Sequence, residues 1–505
     1  MKTCLIIGGG IGGLVSGALL AKEGYKVTVL EKNAIIGGGL QTFKRHGVSF
    51  PTGMHIFGGF EGGGNMRKLF GYLGVLDKLS LRPTDDDAFD VVSIINNGDT
   101  YRLPKGKEAF VKYLSERFPV EAQHIQSYVD KLYKISEEEY LYYLHELTPQ
   151  DFSHSEDFMG STTQLMDKCG IQDHKLKVLL SYLVPLFGGS PEITPAFIPA
   201  LLSIHHINGH FQFVNGSQQL AEALKDVIVE AGGEVIANAE VVRIKVEDHQ
   251  VTEIVTKNGN TYSSDHYISD VHPEVLLRLV DEGAFPKAFK TRIQSISETF
   301  SCFKVFVKFK ENAFPYLNHA NFCLTDYDNN SFDYKAIDQK DWPQGLMYIT
   351  PPIENQGDFA ETMVIIAQMD FEWVRPWENT RTGHRGAEYE QWKQTMADKV
   401  LDFMERLYPD FRDQIKFVFS SSPLTIRDYY GNKEGSNYGF QKDSNNLMLS
   451  QMSVSTKVRN LFLTGQNVNI HGLCGVSLTA IETAEVLVGQ NSIVHKINKF
   501  WLNHS

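Results

Sequence analysis

At 505 residues the chain is too long for a single compact core, which implies two domains assembled from discontinuous segments. Hydrophobic residues at 42% and charged residues at 22% are ordinary for a globular protein, and a net charge of −13 excludes a nucleic-acid binder, which needs a basic face. Cys4, Cys169, Cys302, Cys323 and Cys474 are scattered with no C-x-x-C pair, so no disulfide framework and no metal site is expected, and a reducing cytoplasm is the expected setting.

The most informative stretch is residues 2–31, KTCLIIGGGIGGLVSGALLAKEGYKVTVLE. Residues 3–7 are a short apolar run suited to a strand buried on both faces. Gly8, Gly10 and Gly13 follow in G-x-G-x-x-G spacing, then a helical segment, then a second strand ending on Glu31. Gly8 permits a tight strand-to-helix turn, Gly10 lets a pyrophosphate approach the backbone, and Gly13 lets helix and strand pack closely. The helix beginning near Ile11 aims its free N–H groups at the phosphates, and Glu31 stands where a carboxylate accepts from a ribose diol. The run at 3–21 also has the hydropathy of a signal peptide or membrane span, but such segments need neither this glycine spacing nor the terminal acid.

Two further glycine clusters follow, Gly37-Gly38-Gly39 and Gly53 with Gly58-Gly59, open enough for a large planar or phosphorylated ligand to reach the backbone. Residues 65–82 predict a helix closed near Gly74, and 91–103 a hairpin turning at Asn96-Asn97-Gly98. Helices are expected between 107 and 147. Residues 176–207 are apolar and broken by Pro185, Pro191, Pro195 and Pro199. Such a stretch lines a tunnel for an apolar substrate, touches a membrane surface or is plain core, and plain core is the simpler expectation. An α/β rhythm returns at 213–271. Phe303, Val305, Val307 and Phe309 then alternate with Lys304, Lys308 and Lys310, the pattern of a half-buried antiparallel strand. A helix is expected over 389–407. Residues 460–488 read as a strand, a glycine-rich turn and a helix starting near Val476, whose positive end would face a ligand.

These blocks resemble the phytoene desaturase-like FAD oxidoreductases, in the branch that holds carotenoid isomerases and all-trans-retinol 13,14-reductases. The resemblance rests on GGGIGG with Glu31, on Gly37-Gly38 followed by Thr42-Phe43, and on Gly53-Met54-His55. It continues through Asn215-Gly216-Ser217, Pro423-Leu424-Thr425, Tyr429-Tyr430-Gly431, residues 435–439 (GSNYG) and Leu463-Thr464-Gly465-Gln466-Asn467. It implies an α/β fold: a discontinuous Rossmann-type FAD-binding domain (1–75, 208–280 and 455–505) and an α+β substrate domain (76–207 and 281–454) with a mixed sheet and a helical insertion. It implies FAD held by Gly8, Gly10, Ile11, Gly12, Gly13, Glu31, Lys32 and Thr42, and by Val241 at the adenine. Gly38, Gly39, Gly53, Met54 and His55 would flank the flavin, with Gly465, Gln466, Gly475, Val476, Ser477 and Leu478 closing over its pyrimidine end. The sequence departs from the family pattern at Gly39, where arginine is frequent, at Pro51, where aspartate is expected, and at Ser217, where glycine is commoner.

The expected chemistry is hydride transfer between flavin and a C–C bond of a lipophilic polyene or isoprenoid. A redox-neutral polyene isomerase, and a non-catalytic flavin-binding protein, remain as alternatives. His55, Tyr438 and His471 are the candidate proton donors, since each lies in a block expected near the flavin. No second dinucleotide motif is present, so NAD(P)H enters only as a transient reductant. Residues 494–502 predict either a docked terminal helix or a peripheral membrane contact; the oligomeric state is not readable.

Overall fold

The computed structural model describes residues 1–327 and 335–504. Two sheets organise it. The first is built outward from the strand Thr3–Ile7, which pairs in parallel with Lys26–Leu30 on one side and His266–Ser269 on the other. Glu234–Ile236 and Leu461–Leu463 complete five parallel strands. A parallel sheet has to be covered on both faces, and the alternation of side chains shows how. Cys4 and Ile6 point to one face, where the helices Ile11–Lys22, Gln218–Glu230 and Gly472–Val488 supply Leu14, Leu224 and Ile481 to a common core. Leu5 and Ile7 point to the other, against Val241, Ile244 and Ile254 of the antiparallel sheet Val241–Glu247, Gln250–Thr256 and Thr261–Tyr262.

The second sheet has seven strands in the spatial order Ile415–Ser421, Ser301–Phe309, Thr362–Met369, Gly345–Ile349, Ala320–Leu324, Asp90–Ile94 and Asp99–Leu103. All its pairs are antiparallel except Ala320–Leu324 with Asp90–Ile94. The helix Ala387–Leu407 covers one face through Met396, Val400, Leu401 and Met404. A layer of helices between Lys107 and Ile207 covers the other. That cover overturns one expectation. Ser301–Phe309 is buried along both faces rather than half-buried, and Lys304 is only 4% exposed. Period-two alternation reports which residues share a face, not whether water lies beyond it.

Residues 176–207 fold into His174–Leu180, a turn at Val184–Phe187 and Phe197–Ile207. Ala200, Ile204 and Ile207 are core, as expected, but Pro185, Ile198, Leu201 and Leu202 also form the wall of a cavity. The terminal helix Ser492–His504 docks through Ile493, Val494 and Ile497, all fully buried, onto the layer containing Asn65–Leu73. Glu485 fixes its start by accepting hydrogen bonds from the backbone N–H groups of Asn491, Ile493 and Val494. Among the described residues no single helix is long and apolar enough to cross a membrane.

Candidate active site

Two cavities meet between the sheets. The larger, about 540 Å³, is a cleft at the carboxyl ends of the parallel strands, where open α/β sheets bind ligands. Gly8, Gly10, Ile11 and Gly12 line one side. Gly8 adopts φ +106 to turn strand into helix, and a Cβ on Gly13 would lie 2.1 Å from the Gly8 carbonyl oxygen. Gly13→Ala is therefore expected to force the helix off the strand and abolish flavin retention, read as loss of visible absorbance in protein that still elutes as a folded species. Glu31 is buried at the end of the second strand, its Oε2 accepting from the Gly9 N–H at 2.9 Å and its Oε1 from the Asn33 N–H at 2.8 Å. Lys32, Gly38, Gly39, Gly53, Met54, Val241, Gly465, Gln466 and Val476 also line the cleft. The Lys32 ammonium donates to the Asp428 carbonyl at 3.1 Å.

Asp270 sits at the helix N-terminus, with its Oδ2 accepting the Gly13 N–H at 2.8 Å. The seat that suits a phosphate thus already holds a carboxylate. Burial pushes the Asp270 carboxyl up to about 7; the Gly13 N–H opposes that shift, and the Glu31 charge adds to it.

The smaller cavity, about 240 Å³, is apolar, with Ile56, Phe57, Leu201, Phe322, Met347 and Ile470 in its wall. It shares Gly53, Met54, Asn437, Tyr438 and Gly472 with the cleft, so the two meet along one seam. His55, Tyr438 and His471 are brought together here, with the rings of Tyr438 and His471 4.7 Å apart. Among the described residues neither ring nitrogen of His55 has a hydrogen-bond partner, and burial, helped by the nearby Lys304 charge, pushes it down to about 3. Burial and Lys442 bring His471 down to about 4. Burial holds the Tyr438 hydroxyl far above its usual value.

Three expected positions differ. The helix expected to begin near Val476 starts at Gly472, one turn earlier, where positive φ (+78) at Gly472 follows extended backbone at His471. Its N-terminus therefore lies on the seam itself, while Gly475 and Leu478 face the apolar cavity. Ser477 lines neither cavity; it is fully buried and its hydroxyl has no partner. Thr42 also lines neither; its hydroxyl would lie 2.6 Å from a Cβ on Gly216 and so packs under that turn.

Among the polar groups on the apolar cavity that escaped the sequence reading are Lys304, His205, His206 and Tyr182. Lys304 donates to the Thr52 carbonyl at 2.7 Å, placing a buried ammonium beside His55.

The flavin-containing amine oxidoreductase model matches residues 11–487. The chain belongs to that family. It is 25% identical to rat all-trans-retinol 13,14-reductase over 96% of this chain and 86% of that protein. It is likewise 25% identical to 4,4'-diapolycopene oxygenase of Methylomonas sp, over 93% of this chain and 94% of that one. An oxidoreductase from Methanosarcina mazei shares the fold with a TM-score of 0.65 at 15% identity, covering 96% of this chain and 100% of that chain. As a flavin-containing amine oxidoreductase the protein uses FAD, and its cleft fits that cofactor. A Cβ on Gly10 or Gly12 would lie 2.8 or 2.4 Å from the Asp270 carboxylate, so only bare backbone leaves room there.

Proposed function

We propose that this FAD oxidoreductase saturates a carbon–carbon double bond of a lipophilic polyene, with NAD(P)H as the visiting reductant. The observation that carries the reading is the shared seam: an apolar cavity opens onto the cofactor cleft at Gly53-Met54, Asn437-Tyr438 and Gly472. Bound FAD supplies two-electron hydride chemistry. The chain's residues exclude water from the double bond, hold an apolar body by contact and place one cation, Lys304, on the wall of the apolar cavity. The reductases and carotenoid enzyme among its relatives support an unsaturated apolar substrate. A cavity of about 240 Å³ is slightly smaller than the usual ligand pocket, roughly 300–1,000 Å³, and favours a retinoid-sized molecule over a fully enclosed long carotenoid. The cofactor unit comprises 1–75, 208–280 and 455–505, and the substrate unit the remainder.

The test is anaerobic spectroscopy of the holoenzyme. NADPH or NADH is expected to bleach the flavin band, and all-trans-retinol to restore it with one nicotinamide consumed per double bond lost. Restoration without net nicotinamide consumption, with a changed double-bond geometry, would replace saturation by isomerisation. No restoration by retinol or by lycopene would refute the polyene reading.

A further inference from the structure

On the wall of the apolar cavity lies a cluster that is not part of the cofactor cleft. Asp90 is 0% exposed, and among the described residues no lysine or arginine forms an ion pair with it. Its Oδ2 accepts from the Tyr182 hydroxyl at 2.7 Å and lies 2.6 Å from His206 Nδ1, while its Oδ1 lies 3.0 Å from His210 Nε2. Burial alone would raise the Asp90 carboxyl; the two imidazoles hold it well below the usual carboxylate range. His206 and Tyr182 line the apolar cavity, and His210 stands behind them with its Nδ1 unpartnered.

A buried carboxylate lacking a cation is costly, and something positive has to reside with it. The choice is a metal ion or a proton. Two ligands of one tetrahedral metal at about 2.0–2.1 Å stand roughly 3.3 Å apart, whereas 2.6 Å is the length of a charge-assisted hydrogen bond. The distance favours a proton between Asp90 and His206.

That proton has a use. Hydride addition to one carbon of a double bond leaves an electron pair on its neighbour, which must receive H⁺. The other cavity histidines are poor sources: burial brings His55 and His205 down to about 3 and His471 to about 4, so all three are neutral near pH 7. His206 alone among them has a carboxylate on its ring.

We propose that His206, charged by the proton it shares with Asp90 and supported by His210 and Tyr182, is the acid that protonates the substrate carbon, in place of His55, Tyr438 or His471. Nε2, the nitrogen not engaged by Asp90, gives up its proton; the N–H pair stays on the ring, a second C–H bond forms on the substrate, and the two electrons come from NAD(P)H through the flavin. The imidazole, now neutral with its Nδ1 proton still donated to Asp90, regains the Nε2 proton from the cavity side once product has left. The groups that face this pair from neighbouring elements are Tyr182, His205 and His319, and burial depresses both of those histidines. This inference rests on the saturase reading above.

The experiment compares wild type, His206→Gln and Asp90→Asn, each flavin-loaded. Bleaching by NADPH should be unchanged in all three. Flavin reoxidation by all-trans-retinol should fall at least a hundredfold in His206→Gln, through kcat with KM held, since general acids contribute about 10²–10⁴-fold. Asp90→Asn should lose turnover at neutral pH and recover it in more acidic buffer, where the imidazole takes up its proton without the carboxylate. Loss that is independent of pH in Asp90→Asn, or a full rate in His206→Gln, overturns the proposal. Should His206→Gln fail to load flavin, the pH shift in Asp90→Asn decides alone. Wild type that is reduced by nicotinamide yet not reoxidised by retinol refutes the saturase reading itself, a failure visible without any variant.

Discussion

FAD binding to the apoprotein is expected to weaken about tenfold between pH 6 and pH 8, and Asp270→Asn to abolish that dependence. The Asp270 carboxyl occupies the helix N-terminus with the Gly13 N–H at 2.8 Å, the seat a pyrophosphate seeks. Its pKa is raised to about 7 chiefly by burial, so it is largely neutral at pH 6 and largely ionised at pH 8. The neutral acid can donate a hydrogen bond to a phosphate oxygen, whereas the carboxylate repels it. For a group titrating near 7 the neutral fraction falls about tenfold over that interval, and affinity follows it. Asparagine keeps the shape and a donor without the charge, so the variant should bind FAD with one affinity across the range, equal to wild type at low pH or tighter. The linked stability effect has the same sign. A carboxyl whose folded pKa is raised destabilises the fold as pH climbs from its unfolded value, near 4, to about 7, so the apoprotein should melt lower at pH 8 than at pH 6, and less so in Asp270→Asn. Fluorescence titration with FAD at three pH values measures the first effect; equal affinities in wild type would show that the carboxylate swings clear of the phosphates.

The parts of this molecule legible in its sequence are those whose chemistry is local. A strand, three spaced glycines, a helix and an acid lie within residues 3–31, and their roles follow from neighbours a few positions away, so Gly8, Gly13 and Glu31 appear where the pattern puts them. The hairpin at Asn96-Asn97-Gly98 is local in the same sense, with Gly98 at φ +71. What was not legible depends on layers distant in sequence. Lys304 looks like a solvent-facing lysine until the helices between Lys107 and Ile207 are laid over its strand. Asp90 lies 116 residues from His206, and only the pairing of Asp90–Ile94 with Ala320–Leu324 beside the broken helix joins them. His205 and His206 are adjacent in the sequence, and no spacing rule tells which of the two has a carboxylate. Nothing local marks Asp270, whose carboxyl is seated by the glycine turn of another βα unit.

Lys304→Met is expected to lower the rate of flavin reduction by nicotinamide a hundredfold or more while leaving flavin content unchanged. Lys304 is the one lysine or arginine among the described residues lining the apolar cavity, and it is held by the Thr52 carbonyl at 2.7 Å, two residues before Met54 on the seam. A buried ammonium costs solvation, and with one carbonyl acceptor the structure recovers only part of that cost. Such a group is retained where negative charge develops, and a two-electron reduced cofactor gathers negative charge. Fixed donors aimed at developing charge contribute about 10²–10³ in rate when removed singly, which sets the expected loss. Methionine fills nearly the same volume and lacks the charge, so the cavity should stay dry and the fold intact. Lys304→Arg should recover part of the rate, because the charge persists although the larger planar head cannot hold the same bond to Thr52. His55 supplies an internal control: Lys304 helps to depress it, so Lys304→Met should raise the His55 titration, observable by NMR of labelled histidine. A reduction rate unchanged in Lys304→Met, with His55 titrating higher, would place the ammonium beside His55 but outside the reaction.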